Sequence, residues 1–400
     1  LLMEKILKFG GTSCGSIESI QSVLAIIESN WKSSSDFAVV FSAMGGVTNQ
    51  LLEAGTLAAQ PKSTINTLIA TIETRHFDVI KHFIPVKGQS QVIAYVRTLV
   101  NELRDVLKGI NLIKEISPKT SDLLVSFGER LSTYLVYAIL HERGLPVVYV
   151  DAREIIKTNS AFSHSEVDFS VTNSLISAYF ETNKGSIGLV TGFIASNSKG
   201  ETTTLGRGGS DYTASVLGAA LGVKEIEIWT DVDGMMTADP RKVKSAFTIP
   251  SISYAEAMEL THFGAKVIYP PSLQPAFAAT IPIRVLNTFN AGFKGTVVSK
   301  EPTGSPYIIT GISALIQVVV WFFLFKTIRK ENKLLFINLP GYLKYLIVFI
   351  SFALSAKFLL QLGSTIPAIS KLAFGFRPII IAYLHLILLA IISLFLLFYI

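Results

Sequence analysis

Four short segments set glycines and charged side chains directly after an apolar run. The first is Lys8-Phe9-Gly10-Gly11-Thr12-Ser13. Adjacent glycines let the backbone approach a phosphate, and a lysine at a strand end can reach a transferring phosphoryl group. A Gly-Gly turn also serves purely structural ends, and the chain has no GxxxxGK[ST], so a P-loop kinase is not expected. The second runs Thr204-Leu205-Gly206-Arg207-Gly208-Gly209-Ser210-Asp211-Tyr212-Thr213 and leads into the helical run Ala214–Leu221. Ser210 reads as its N-cap and Asp211 as a first-turn carboxylate, which capping alone would explain. Arg207, gripped between glycines, gains little packing there and suits bidentate recognition of a carboxylate. The third is Trp229-Thr230-Asp231-Val232-Asp233-Gly234, continuing to Asp239-Pro240-Arg241. Two acidic residues after an apolar strand serve a nucleotide ribose or Mg²⁺, or form a plain acidic turn. The fourth, Phe263-Gly264-Ala265-Lys266-Val267, puts a lysine one turn past a helical Glu256–Leu260.

Such groups need strands that end where they begin. Ile6–Phe9 leads into the first glycine turn, after which Ile17, Ile20, Leu24 and Ile27 fall at helical spacing. Phe37–Ala43 reads as a buried strand followed by Gly45-Gly46. A long helix through Ser121–Arg143 buries Leu124, Phe127, Leu131 and Leu135, stops at Gly144 and hands over to a strand at Pro146–Val150. Ser186–Phe193 and Glu225–Thr230 are further strands. The alternation predicts an α/β fold whose largely parallel sheet is covered by helices on both faces, with ligands at the carboxyl ends of its strands.

Composition narrows the class. Of 400 residues, 50% are apolar and 16% charged, enough for a large core. One cysteine, Cys14, excludes internal disulfides and Cys-based metal sites, and reads as packing filler. The net charge of +6 comes from residues 300–400, which hold nine Lys/Arg and two Asp/Glu, while residues 1–299 hold 26 and 27. A nearly neutral body with basic residues flanking apolar segments argues against nucleic acid as a partner. Met3-Glu4-Lys5 runs straight into a strand, so no signal peptide is expected.

The order and wording of KFGGTS, SFGER, GFIASNSKGETTTLGRGGSDYTA, WTDVDG with DPR, and FGAKV closely resemble the catalytic domain of bacterial aspartate kinases, in the amino-acid kinase family. The resemblance covers residues 3–300. It implies an amino-acid kinase-like sheet sandwiched by helices, with L-aspartate and ATP as substrates and Mg²⁺ accompanying the nucleotide. The β-carboxylate of aspartate would attack the γ-phosphate to give 4-phospho-L-aspartate, a step toward lysine, threonine and methionine. By the same resemblance Lys8 stabilises the transferring phosphoryl group, with the Gly10 and Gly11 amides around it, and Asp211 orients Lys8. Arg207 resembles the clamp on the substrate α-carboxylate and Glu129 the receptor of its ammonium, while Thr48 and Ser210 line that pocket. Thr230, Asp231, Arg241, Lys266 and Val267 match nucleotide-binding positions. Two departures stand out: Met236 replaces an aromatic near the nucleotide, and Tyr269-Pro270-Pro271 replaces a His-Pro, with no expected effect on chemistry.

Beyond Lys300 the resemblance to the catalytic domain ends. Aspartate kinases continue into paired ACT domains; Tyr307–Ser313 faintly resembles the entry into the first ACT strand, and after it the resemblance stops. Tyr345–Gly363 carries one charge in 19 residues and Pro378–Ile400 none in 23, so each is expected to span a membrane. Ile308–Phe325, uncharged over 18, leaves two or three spans open. The expectation is a cytoplasmic catalytic domain on a hydrophobic α-helical tail in the inner membrane. Alternatives are a tethered sensor that binds nucleotide or amino acid without turnover, and a chimeric reading frame. Self-association into a homo-oligomer is left open.

Overall fold

The computed structural model describes residues 3–33, 36–60, 65–238, 243–262, 268–301 and Lys326. The expected spans Ile308–Phe325, Tyr345–Gly363 and Pro378–Ile400 lie outside them, as do Arg241, Lys266 and Val267. The chain divides into two units. One comprises Leu1–Met236, Phe247–Thr261 and Ala265–Ser305, and the other Thr237–Ala246, His262–Gly264 and Pro306–Ile400. Few residues of the second are described; among them, Ala246 N–H donates to the Val243 carbonyl at 3.0 Å.

The first unit begins β1 (Lys5–Phe9), α1 (Ile17–Ser33), β2 (Phe37–Phe41). Four helices follow: α2 (Val47–Ala58), α3 (Ile65–Phe83), α4 (Val86–Ile113) and α5 (Pro118–Glu142). Then come β3 (Val147–Val150), α6 (Ala152–Ile155), β4 (Lys157–Thr158), α7 (Phe169–Thr182), β5 (Ile187–Thr191), β6 (Ile194–Asn197) and β7 (Thr202–Thr204). The chain continues through α8 (Gly209–Leu221), β8 (Glu225–Thr230), β9 (Ser251–Ser253), α9 (Tyr254–His262), α10 (Gln274–Ala278), β10 (Ile283–Asn287) and β11 (Thr296–Ser299). Eight strands form the main sheet in the order β3-β5-β2-β1-β8-β10-β11-β9. Among these pairings only β10–β11 is antiparallel, so the sheet is largely parallel as the alternation predicts.

Strand alternation sorts side chains to two cores. Leu7, Phe9, Val39 and Phe41 point to the layer of α1 to α5, and Ile6, Ala38 and Val40 to the layer containing α8. Lys8 shares the parity of Ile6, so β1 delivers it toward α8. Phe9 pairs in register with Phe41 on one side and Trp229 on the other, and the rings stack at centroid separations of 5.7 and 6.0 Å. Each fully buried ring contributes about 1.5–3 kcal/mol, which fixes the strand ends beneath the glycine turns.

Helix α5 starts at the Ser117 cap, whose Oγ accepts the Thr120 N–H at 3.1 Å, with Pro118 in the first turn. It is the described helix long and apolar enough to cross a membrane, yet 78% of that stretch is buried inside the protein. The core explains its apolar content.

Two local expectations fail. Ser186–Phe193 is not one strand: β5 ends at Thr191 and β6 begins at Ile194 in a separate sheet, β4-β6-β7. Between them a Cβ on Gly192 would lie 2.7 Å from the Phe41 carbonyl oxygen and 2.7 Å from Ser210, and Phe193 adopts φ +69°. The second is the cap of α8. Gly208, at φ +72°, occupies the N-cap, and Ser210 falls inside the first turn. The left-handed conformation at Gly208 is one that glycine takes without steric cost.

Candidate active site

The carboxyl ends of β1 and β2, the start of α8 and the middle of α5 enclose a cleft of about 440 Å³. Lys8, Gly11, Thr48, Glu129, Arg207, Ser210 and Asp211 all line it. Seven positions predicted from scattered segments therefore meet in one place.

Lys8 Nζ lies 2.6 Å from Asp211 Oδ1, and each residue is over nine-tenths buried. Strand parity aims the lysine at α8, and the first turn of α8 carries the aspartate. Removing one member of so buried a pair leaves a charge without its partner, a loss of about 3–5 kcal/mol. Chemically, the pair is a fixed cation at the rim of a water-limited cleft.

Glu129 sits on α5 at 3% exposure. Its Oε1 accepts the Ala43 N–H at 3.2 Å, and its Oε2 is buried without a hydrogen-bond partner. Burial pushes the carboxyl pKa up to about 8, against the pull of backbone N–H bonds from Ala43 and Glu129 itself. Burial thus keeps the carboxyl protonated near neutral pH, with one oxygen unpartnered in the wall of the cleft.

Arg207 is exposed on the other wall, its guanidinium carbon 5.3 Å from the Tyr269 ring centroid. The Tyr269 ring meets the arginine that the cleft presents. The same residue backs Gly208, where a Cβ would lie 2.9 Å from the Tyr269 Cβ.

The nucleotide-matching positions are less completely gathered. The Gly10 N–H donates to the Trp229 carbonyl at 3.3 Å, joining β1 to β8, so the amide expected around a phosphoryl group is spent in the sheet. Thr230 and Asp231 end β8 beside it, outside the cleft lining, with Thr230 Oγ1 donating to Asp231 Oδ1 at 3.2 Å. Asp233 accepts from Asn287 Nδ2 at 2.9 Å and Asn290 Nδ2 at 3.0 Å, and this half of the acidic pair organises a turn. Among the described residues no three His, Cys, Asp or Glu side chains gather to hold a metal. Single carboxylates such as Asp211 and Asp231 fit a magnesium that arrives on nucleotide phosphates, since that ion takes one or two carboxylates and fills its shell with phosphate oxygens and water.

Cys14 is 1% exposed and burial pushes its thiol up to about 12, which keeps it a protonated packing group. Sequence reasoning missed Phe193, whose left-handed backbone places it in the cleft lining while its N–H donates to Thr213 Oγ1 at 3.0 Å. It also missed Asp122, whose Oδ2 accepts the Ser163 and Thr204 N–H groups and whose Oδ1 accepts the Thr204 hydroxyl, tying the strand before the Arg207 turn to α5. Neither carries a local signal, because both act through residues 20 or more positions away.

Residues 3–287 match the family model described as amino acid kinase family. Aspartokinase 1, chloroplastic, of Arabidopsis thaliana is 37% identical over 313 residues, covering 77% of this chain and 54% of that protein. Lysine-sensitive aspartokinase 3 of Escherichia coli (strain K12) is 36% identical over 306 residues, covering 75% and 65%. The crystal structure of E. coli aspartokinase III with aspartate and ADP superposes with a TM-score of 0.70 at 33% identity, covering 77% of this chain and 67% of that one. Plant and bacterial proteins match alike, so the narrowing to bacterial enzymes is not carried forward. This chain spans about half the length of the curated relatives it matches. The family match starts two residues before β1 and ends on the last residue of β10, taking in the whole cleft and the strands that build it, and the chain belongs to the amino acid kinase family.

Proposed function

We propose that this chain transfers the γ-phosphoryl group of ATP to the β-carboxylate of L-aspartate, giving 4-phospho-L-aspartate and ADP. The supporting observation is the meeting of Lys8–Asp211 with the unpartnered Glu129 oxygen in one cleft. A fixed cation serves a phosphoryl group, and a buried carboxyl that ionises when an ammonium reaches its free oxygen serves an amino acid. The names of the relatives, and the aspartate and ADP in one related structure, support the same reading.

An acceptor carboxylate is ionised at neutral pH, so no general base is needed and catalysis reduces to positioning and charge neutralisation. A carboxylate oxygen bonds to the γ-phosphorus as the bond to the bridging oxygen breaks, and ADP leaves with that electron pair. Lys8 meets the charge on the transferring group, held on line by Asp211. Glu129 takes the substrate ammonium, Arg207 its α-carboxylate, and Thr48 and Ser210 wall the pocket. Gly11, Thr230 and Asp231, with Arg241, Lys266 and Val267 outside the described residues, would serve the nucleotide, while the Gly10 amide stays in the sheet. Magnesium brought on the phosphates would neutralise their charge. The catalytic domain, residues 3–300, would work in the cytoplasm, and residues 301–400 would anchor it in the inner membrane through two or three helices.

Loss of a donor at the developing charge costs about 10²–10³ in rate. Lys8→Ala should lower kcat by that much in an assay of aspartate-dependent ADP release. Lys8→Arg keeps a cation beside Asp211 and controls for folding. A wild-type kcat in Lys8→Ala would remove Lys8 from the chemistry, and wild-type binding of both ligands without turnover would favour a tethered sensor.

A further inference from the structure

Two backbone turns line the cleft, one after β1 and one after β2, and a single side chain from another layer ties them together. Arg75 lies on α3, partly buried, and its Nη2 donates to the carbonyl oxygens of Gly15 at 3.1 Å and Gly45 at 3.0 Å. The turns themselves touch: a Cβ on Gly45 would lie 3.0 Å from the Gly11 carbonyl oxygen, and a Cβ on Gly11 3.2 Å from that of Ala43. Gly11, Gly45, Gly46 and Thr48 face the cleft, so the hold of Arg75 on their backbone bears on the cleft from behind.

Peptide planarity gives that hold a direction. The C=O and N–H of one trans peptide point to opposite sides. With the Gly45 carbonyl drawn to α3, the Gly46 N–H of the same peptide turns away from α3. Gly46 itself adopts φ +85° as the residue preceding α2, a conformation that leaves glycine many alternatives and therefore benefits from an outside restraint. Donors already aimed when charge develops lower a barrier without reorganising.

We propose that Arg75 is a positioning residue for phosphoryl transfer, holding the two glycine turns at the spacing and orientation in which their amides meet the transferring group. It touches neither nucleotide nor acceptor. The inference rests on the phosphoryl-transfer reading above and adds to it the element that sets the turn geometry.

The test is steady-state kinetics on the wild-type full chain, Arg75→Ala and Arg75→Lys, each normalised to its folded fraction by circular dichroism, with and without added methylguanidinium. Small displacements of a reacting geometry cost up to about 10²-fold. Arg75→Ala should therefore lose about 10–10² in kcat per folded molecule, with the aspartate KM within about twofold of wild type. Methylguanidinium, offering the same donors, should restore part of that kcat and leave the wild type unmoved. A purely structural role would lower the folded fraction and leave kcat per folded molecule, and the added cation, without effect; that result overturns the proposal. If Arg75→Ala fails to fold, Arg75→Lys decides: a kcat about tenfold down at an unchanged aspartate KM supports the proposal, and a wild-type kcat overturns it. A wild-type chain that shows no turnover overturns the phosphoryl-transfer reading, and this inference with it.

Discussion

Glu129 shows how one residue couples burial, pH and ligand. Its unfolded carboxyl titrates near 4.5 and its folded one near 8, so below 4.5 both states are protonated and burial costs nothing in charge. Between these values the unfolded chain releases a proton that the folded chain keeps. Stability from this group is therefore lost as pH rises toward 8. Thermal melts of the ligand-free protein between about pH 6.5 and 8 should fall with pH, and Glu129→Gln should flatten the slope. An ammonium at Oε2 reverses the preference. Aspartate binding at pH 7 should release close to one proton, read by calorimetry in buffers of different ionisation enthalpy, and Glu129→Gln should release none. The identity of Glu129 was legible in the motif Ser126-Phe127-Gly128-Glu129-Arg130, whereas its unpartnered oxygen was not, because that depends on Ala43, 86 residues away. Tyr269 makes the converse point. It was noticed as a departure, but its stacking on Arg207, 62 positions earlier, has no trace in a linear pattern.

At the scale of elements, period-two and period-3.6 patterns identified β1, β2, β3, β8, α1, α5 and α8 within a few residues. The stretch from Gly46 to Ser117 received no assignment and holds α2, α3 and α4, which pack on one another and on α5. Helix α3 carries a buried histidine with a consequence of its own. His76 Nδ1 meets the Ile72 carbonyl at 2.7 Å, so Nδ1 carries the proton, while Nε2 has no hydrogen-bond partner. Burial is the main force pushing its pKa down to about 4, with the Arg75 charge adding to it. The neutral ring favours the fold above the ordinary value near 6.5, and that contribution is lost as pH falls through 4, roughly 3 kcal/mol in all. In chemical denaturation, lowering the pH from 7 to 4.5 should cost the wild type more stability than it costs His76→Phe. An equal loss in both proteins would move the acid sensitivity elsewhere.

For the whole molecule, the composition break near Lys300 matters more than any single contact. Feedback by a distant ligand needs a second site and a bistable element to couple it. Residues 301–400 are rich in apolar sequence and offer little polar sequence for such a site. If the chain phosphorylates aspartate, millimolar lysine or threonine should leave its initial rate unchanged. Saturable inhibition that disappears in a chain ending at Lys300 would locate an effector site in the tail and contradict the membrane reading. The body was readable because its segments occur in a fixed order along the chain. The tail was read from hydropathy alone, and beyond Glu301 all of it but Lys326 lies outside the described residues.

The stacked row Phe41–Phe9–Trp229 also gives the protein an optical handle. The indole sits one residue before Thr230, stacks on Phe9 and anchors its Nε1–H on Glu227 Oε2 at 3.0 Å, so it is held on its face and its edge, adjacent to the strand end proposed for the nucleotide. The chain has three tryptophans. With Trp31 and Trp321 changed to phenylalanine, Trp229 becomes a lone fluorophore buried in the sheet beside that strand end, and its emission reports ligand arrival and loss of the fold from a single coordinate.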